Sequence, residues 1–201
     1  MTQVPNVQTG RVLLDEAAVA RTLLRLAHEV LEKHPTPPLE RGRTPAFPLD
    51  GVLLAGVRTR GVPLALRLAL ALHGLGAPHV PVAQLDIDDY RDDRPRPAVP
   101  RPGALRLLDG GRVPDVDGAT VIIVDDVFYT GRTLRAALDA LADTGRPASV
   151  ELLVLVDRGH RELPLRASYV GKNVPTAADE RVAVRLREID GCDGAFLVPA
   201  S

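Results

Sequence analysis

The chain is short of several residue types, and each shortage excludes a class of protein. Its one cysteine, Cys192, excludes a disulfide within the chain, which suits the reducing cytoplasm. Tryptophan is absent, and three tyrosines and three phenylalanines are too few for a platform that stacks single-stranded bases. No apolar run approaches membrane length, and no signal-peptide pattern opens the chain. We therefore expect a cytoplasmic protein without a membrane partner.

An excess of positive or negative charge is also missing. The 201 residues carry a formal net charge of -1, so the whole protein exerts no general attraction on a polyanion. A nucleic-acid site would have to be a local basic patch. The hydrophobic share of 45% and the charged share of 25% are those of an ordinary globular domain. The length suffices for one domain with a substantial core.

Apolar strands alternate with amphipathic helices along the chain. This alternation predicts an α/β fold with a central, mostly parallel sheet flanked by helices. We expect one domain over residues 11–201, a flexible tail at 1–10, and a long flexible loop at 91–118. The predicted strands are residues 51–57, 80–87, 121–126, 149–156 and 181–188, the predicted helices are residues 15–33, 62–73 and 132–143, and residues 35–50 and 160–175 are predicted to be irregular.

The most informative segment runs from Val121 to Thr133. Four apolar residues indicate a strand covered on both faces, and Asp125 and Asp126 follow where that strand should leave the core. A Thr130-Gly131 turn then leads into a helix. Phosphorylated ligands bind at the carboxyl ends of strands in parallel sheets, and a helix N-terminus favours an anion. The segment therefore predicts a phosphate site.

The order of residue types in this segment narrows the ligand. Carboxylates accept hydrogen bonds from a sugar diol, whereas hydroxyls and free N–H groups bind phosphate, so the order fits a ribose with a 5′-phosphate. The P-loop pattern is absent. The alternative is a buried strand followed by an acidic helix cap, because Asp caps helices well. Thirteen consecutive residues that fit one ligand favour the first interpretation. The segment resembles the phosphoribosyl-pyrophosphate (PRPP) signature of type I phosphoribosyltransferases.

Further blocks narrow the resemblance to the PyrR family of bifunctional pyrimidine-operon regulators with uracil phosphoribosyltransferase activity. The similar blocks are residues 12–16, 25–29, 52–70, 85–93, 121–141 and 154–175, and the block 157–164 with 169–173 is the most specific. The resemblance implies a type I phosphoribosyltransferase fold with a small hood region. Two regions depart from the family: the proline-rich insert at 35–50 is longer, and the loop at 94–118 keeps little of its pattern.

The resemblance implies a reaction in which uracil and PRPP give UMP and diphosphate. Mg²⁺ would be bound mainly through PRPP, and a link from Asp125 and Asp126 to the ion stays open. Arg91, at the start of the long loop, and Asp126 are the expected catalytic residues, although Arg91 could equally belong to a solvated cluster. The expected substrate-binding residues are Thr59, Arg60, Asp125, Asp126, Val127, Phe128, Tyr129, Thr130, Gly131, Arg132, Thr133, Arg158 and Val182.

The resemblance also implies a second role, as a UMP-responsive regulator that binds pyrimidine-operon leader mRNA. The matching basic positions are Arg21, Arg25, His28, His160, Arg161 and Arg166. From their spacing alone, a solvated helix face beside ordinary surface arginines is the simpler interpretation. The alternative function is a phosphoribosyltransferase for a purine or orotate, without RNA binding. By resemblance only, we expect a homodimer or homotetramer.

Overall fold

The computed structural model describes residues 10–35, 51–93, 95, 103–110 and 114–200. Residues 1–9 of the predicted tail at 1–10 lie outside the described residues, as do residues 36–50 of the proline-rich insert at 35–50. The first element is the short strand β1 (Arg11–Leu14), and the segment 121–133 lies wholly within the described residues. The site can therefore be built from its residues.

The centre of the fold is a six-stranded sheet. Its strands are β2 (Val52–Val57), β3 (Val82–Leu85), β4 (Leu105–Leu107), β5 (Thr120–Phe128), β6 (Ser149–Asp157) and β7 (Tyr169–Asn173), in the order β4-β3-β2-β5-β6-β7. All neighbours are parallel except β3 and β4. This confirms the mostly parallel sheet. The interior strands β2 and β5 carry continuous apolar runs because both of their faces are covered.

Helices cover both faces of this sheet. The apolar stripe of α1 (Glu16–Lys33) and the buried residues of α2 (Gly61–Gly74) share one core, whereas α3 (Arg132–Ala142) packs into the core on the opposite face. Asp15 caps α1, since its side chain accepts a hydrogen bond from the Ala18 amide at 2.7 Å. Of the helices in the described ranges, none is both long and apolar enough to cross a membrane.

A buried polar cluster fastens the end of α1 to the sheet. Glu151, on β6, accepts hydrogen bonds from the Tyr169 hydroxyl at 2.6 Å and from His34 Nε2 at 3.1 Å, and it pairs with Lys33 at 2.7 Å. Burial opposes the charged form of Glu151, but these partners outweigh it and hold the pKa of the carboxyl below its ordinary value. The same burial and the nearby carboxylate raise the pKa of Tyr169.

A second, three-stranded sheet forms beside the first. The chain end contributes β8 (Glu180–Arg185), the single turn α4 (Arg187–Asp190) and β9 (Gly194–Pro199), and β9 pairs antiparallel with both β1 and β8. We call residues 180–199 the hood. Because β8 also contacts β5, the hood lies beside the strand that carries the two aspartates.

Several boundaries differ from those predicted. The region 160–175 is not irregular throughout, because β7 occupies Tyr169–Asn173, and the long loop 91–118 contains β4 at Leu105–Leu107. Both are edge strands of the sheet, and three to five residues are too few to show a period. The predicted strand 181–188 ends at Arg185, where the chain turns into α4. The central strand extends to Phe128, so both aspartates lie within it.

Candidate active site

The site lies where the direction of strand order reverses. From β2 the chain crosses to β3 on one side, and from β5 it crosses to β6 on the other, although β2 and β5 are neighbours. The loops after these strands part there and leave a crevice at the carboxyl ends, which is where open α/β sheets bind ligands. The loop 58–61 follows β2, and the segment 129–133 follows β5. The structure thus brings the predicted residues together.

Two glycines let the loop after β2 approach β5 closely. A Cβ added to Gly61 would lie 2.2 Å from the Val124 carbonyl oxygen, and a Cβ on Gly56 would lie 2.6 Å from the Gly61 carbonyl oxygen. Any side chain at these positions would push the loop away from the strand. Arg58 and Thr59 at the loop's tip are exposed and joined by a cis peptide bond, and Arg58 pairs with Asp86 at 3.0 Å.

Arg60 sits between the loop and the hood. Its Nη2 donates to both carboxylate oxygens of Asp190, at 2.9 and 3.2 Å. Its Nε is buried and has no hydrogen-bond partner among the described residues. Burial raises the pKa of the nearby Asp126 carboxyl, and the positive charge of Arg60 offsets part of that rise. Arg60 is therefore a cation placed between two acidic groups on different elements.

Asp125 and Asp126 form a tightly spaced pair near the end of β5. The Oδ1 of Asp125 accepts from the Asp126 amide, and the Oδ1 of Asp126 accepts from the Val127 amide, both at 2.9 Å. Burial raises the pKa of both carboxyls, and the charge of Asp126 raises that of Asp125 further. The pair is thus poised to receive hydroxyl donors or a cation, which would stabilise its charge.

The segment 129–133 after β5 is a candidate anion cradle. Gly131 adopts a left-handed φ of 96° immediately before α3 begins, and Thr130 Oγ1 accepts from the Arg132 amide at 3.4 Å. A cavity of about 190 Å³ lies here, lined by Arg91, Asp92, Asp93, Thr130, Arg132 and Thr133. The helix N-terminus and the threonine hydroxyls make this cavity the candidate 5′-phosphate site.

The start of the long loop reaches the same cavity. Asp92 accepts from Arg132 at 2.6 Å and lies 3.5 Å from Arg135, and its pKa is lowered chiefly by the hydrogen bond from Arg132. Arg91 lines the cavity but pairs with Asp93, at 2.8 and 2.5 Å. In this state the acidic residues of the loop hold both arginines that a phosphate would attract.

A residue that directly follows β6 packs against the segment 129–133. Arg158 is buried, donates to Thr176 Oγ1 at 3.1 Å and to the Glu180 carbonyl, and lies 3.9 Å from the centre of the Tyr129 ring. It thus links the cradle to the start of the hood. Val182 lies on β8, half-buried against the core. Phe128 is a core residue, because its side chain is 3% exposed.

Residues 40–184 match the phosphoribosyl transferase domain family. The chain is 48% identical over 188 residues to the bifunctional protein PyrR of Roseiflexus sp. (strain RS-1). This alignment covers 92% of this chain and 93% of that protein. It is 49% identical to the bifunctional protein PyrR of Chloroflexus aurantiacus, over 94% of this chain and 95% of that protein.

The chain belongs to the PyrR family. Its fold is the type I phosphoribosyltransferase fold. It is similar to the hypoxanthine phosphoribosyltransferase of Trypanosoma cruzi, with a TM-score of 0.65 at 21% identity, over 94% of this chain and 96% of that one. The corresponding enzyme of Staphylococcus aureus gives a TM-score of 0.62 at 18% identity, over 94% and 91% of the two chains. The family and fold expected from the sequence are confirmed.

The residues predicted to bind RNA divide into two groups. Arg21, Arg25 and His28 are exposed on one face of α1. Arg25 pairs with Glu29 and donates to the carbonyl oxygens of Val170 and Gly171, at 3.1 and 2.6 Å. This contact joins the α1 face to β7.

The second group is less uniform than the sequence suggested. Arg166 and His160 are exposed, and His160 bonds the Thr176 carbonyl at 2.6 Å. Arg161 turns inward: it pairs with Asp157, donates to the Tyr129 carbonyl at 2.5 Å, and lies 3.5 Å from the centre of the Phe128 ring. Arg161 therefore contacts residues at the end of β5, and its role in RNA binding stays a prediction.

Sequence reasoning missed two acidic residues at the site. Asp92 pairs with Arg132, which lies 40 positions further along the sequence, and Asp190 pairs with Arg60, which lies 130 positions before it. No motif links either carboxylate to its arginine. For Asp92, the surplus of Arg and Asp at 91–93 was a usable signal, but it indicates a charged cluster without naming partners.

Proposed function

We propose that the protein is a uracil phosphoribosyltransferase. N1 of uracil loses its proton to the solvent and forms a bond to C1 of the ribose of PRPP, while the bond from C1 to the diphosphate oxygen breaks and its electron pair leaves with the diphosphate, which gives UMP and diphosphate. The observation that carries this proposal is the convergence at one crevice of a carboxylate pair, an anion cradle and a loop bearing Arg60. These are the groups that a ribose, a 5′-phosphate and a diphosphate require.

Each part of the crevice takes one part of PRPP in this proposal. Asp125 and Asp126 accept the ribose hydroxyls, and the segment 129–133 holds the 5′-phosphate through N–H groups and hydroxyls. Arg60 and Thr59 receive the diphosphate, whose negative charge grows as the ribose becomes an oxocarbenium ion. Positioning and electrostatic stabilisation then supply the catalysis. When the loop closes, the side chain of Arg91 would leave Asp93 and bind the diphosphate.

Magnesium fits this site as a companion of the substrate. The described residues contain no cluster of three or more His, Cys, Asp or Glu side chains that could hold a metal. The adjacent carboxylates of Asp125 and Asp126 offer hard oxygen ligands, and such ligands suit Mg²⁺. When bound, the ion would screen the charge of PRPP, while the two aspartates hold the ribose end in place.

One substitution tests the enzymatic proposal directly. Asp126→Asn keeps the shape of the side chain but removes its charge, so turnover of uracil and PRPP should fall by about 100-fold. Asp139→Asn is the matched control, because Asp139 lies on α3 and pairs only loosely with Arg135, at 3.8 Å. The assay is UMP formation at saturating Mg²⁺. Turnover within threefold of the parent for Asp126→Asn would contradict the proposed role of the carboxylate.

We also propose that the protein regulates pyrimidine genes by binding leader mRNA in response to UMP. Family membership supports this role, together with an exposed face of Arg21, Arg25 and His28 beside β7. Arginine contacts to phosphates would make the affinity depend on salt. The test is binding of a pyrimidine-operon leader stem-loop at several salt concentrations, with and without UMP. Affinity that is insensitive to UMP would reject the sensor role and leave the enzyme.

The remaining expectations concern assembly and location. We propose a homodimer or homotetramer from the family resemblance alone, and a cytoplasmic location in keeping with the single free cysteine, Cys192. Light scattering coupled to size exclusion measures the assembly. A monomer at micromolar concentration with full activity would reject the oligomer.

A further inference from the structure

The last residue of the turn α4, Asp190, reaches from the hood to the loop after β2. Its own turn holds its carboxylate in place, because Oδ2 accepts from the Leu186 amide at 2.9 Å and the Asp190 amide donates to the Leu186 carbonyl at 2.7 Å. The side chain of Asp190 is 13% exposed. A carboxylate so fixed and so shielded is a strong anchor for a cation.

Arg60 is held by this anchor through one nitrogen only. Nη2 contacts both oxygens of Asp190, whereas Nε is buried without a partner among the described residues. A buried donor without an acceptor is costly, so a water or a ligand is expected to satisfy it. Burial raises the pKa of the Asp126 carboxyl, and Arg60 lies close enough for its charge to offset part of that rise. The unsatisfied donor therefore belongs to the catalytic crevice.

We propose that Asp190 is a positioning residue for the diphosphate of PRPP. Asp190 holds Nη2 of Arg60, and this fixes the guanidinium so that its remaining N–H groups face the diphosphate oxygens. The hood thereby acts on the diphosphate end of the substrate. This inference rests on the proposed function, since it requires PRPP as the substrate.

The structure offers a matched control on the same turn. Arg67, two helical turns further along α2, pairs with Glu188 at 2.8 and 2.6 Å and with Asp193 at 2.7 Å. This second ion pair also fastens the hood to α2, but it does not involve Arg60. Glu188→Gln therefore weakens the attachment of the hood without touching the arginine of the loop.

The experiment compares ligands that contain a diphosphate with one that lacks it. Affinities of PRPP and of Mg²⁺-diphosphate are measured by calorimetry for the parent, Asp190→Asn and Glu188→Gln, and the affinity of UMP is measured in parallel. We expect Asp190→Asn to weaken PRPP and diphosphate binding by about tenfold, as for a lost charge-assisted hydrogen bond. UMP binding should stay within twofold. Glu188→Gln should leave all three affinities within twofold.

A second variant guards against a general loss of structure. Asp190→Glu retains the charge on a longer arm, so it should show the same selective loss at a smaller size and melt near the parent. Equal weakening of UMP and PRPP, the same selective loss in Glu188→Gln, or unchanged diphosphate affinity in Asp190→Asn would each overturn the proposal.

The outcomes also separate this inference from the function on which it rests. If the parent binds PRPP but makes no UMP from uracil, the proposed reaction fails, and the role of Asp190 is still decided by the binding data. If the parent makes UMP and Asp190→Asn binds diphosphate normally, only the positioning role fails.

Discussion

Replacing Gly61 with alanine should displace the loop that carries Arg60. The added Cβ would lie 2.2 Å from the Val124 carbonyl oxygen, and contacts below 3.0 Å are essentially never seen for a real Cβ. The start of α2 must therefore retreat from β5 by roughly 0.8 Å, and misplacement by ~1 Å can reduce a rate about 100-fold. We expect kcat/KM for PRPP to fall by about that factor, with ~1–3 kcal/mol lost from the unfolding free energy through overpacking.

The same helix supplies the control for this prediction. A Cβ on Gly74, at the other end of α2, would meet no atom within 4 Å, so Gly74→Ala should retain kcat/KM within twofold. The assay varies PRPP at fixed uracil and Mg²⁺, and urea unfolding reports stability. A Gly61→Ala protein that folds and keeps at least a third of the parent kcat/KM would refute the argument that this close contact positions the loop.

Three further predictions use other parts of the structure. Asp125→Asn should raise the melting temperature of the ligand-free protein at neutral pH while reducing activity. Burial and the charge of Asp126 raise the pKa of Asp125 in the folded protein, so this carboxyl stabilises the fold only while it is protonated, and that contribution is lost as the pH rises through the folded pKa. The gain should vanish in acid, and a lower melting temperature at pH 7 would contradict the raised pKa. Glu151→Ala should cost about 3 kcal/mol of unfolding free energy, because it leaves Tyr169 and His34 without their buried partner; a loss below ~1 kcal/mol in urea denaturation would show the cluster to be dispensable. Arg166→Ala should weaken RNA binding and lower the salt slope by about 1, with UMP synthesis unchanged, and an unaltered slope would remove Arg166 from the RNA surface.

The sequence predicted the centre of the fold better than its edges. The interior strands β2, β5 and β6 are long apolar runs, because helices cover both faces of the sheet, and such runs are readable without any partner. The edge strands β4 and β7 are short and partly exposed, so neither showed a period. The strand at 181–188 was the one element of the hood that a pattern predicted, as β8, whereas β9 carries no distinctive pattern.

In the candidate site, too, some residues could be predicted from the sequence and others could not. Asp125, Asp126 and the cradle at 129–133 are contiguous in the chain, so one strand–turn–helix segment was enough to find them. The contacts of Asp190 and Arg161 depend on how separate elements pack, which no local pattern encodes. Arg161 illustrates the limit: its neighbours in sequence are exposed, whereas its guanidinium lies against Phe128 and Asp157.

The most direct test of the account offers the protein one base at a time. PRPP and Mg²⁺ are supplied with uracil, orotate, hypoxanthine or adenine in separate reactions, and the nucleotide product is identified. We predict that the protein forms UMP from uracil and no nucleotide from the other three bases. A nucleotide formed from hypoxanthine, adenine or orotate, or no product from uracil, would contradict the proposed activity.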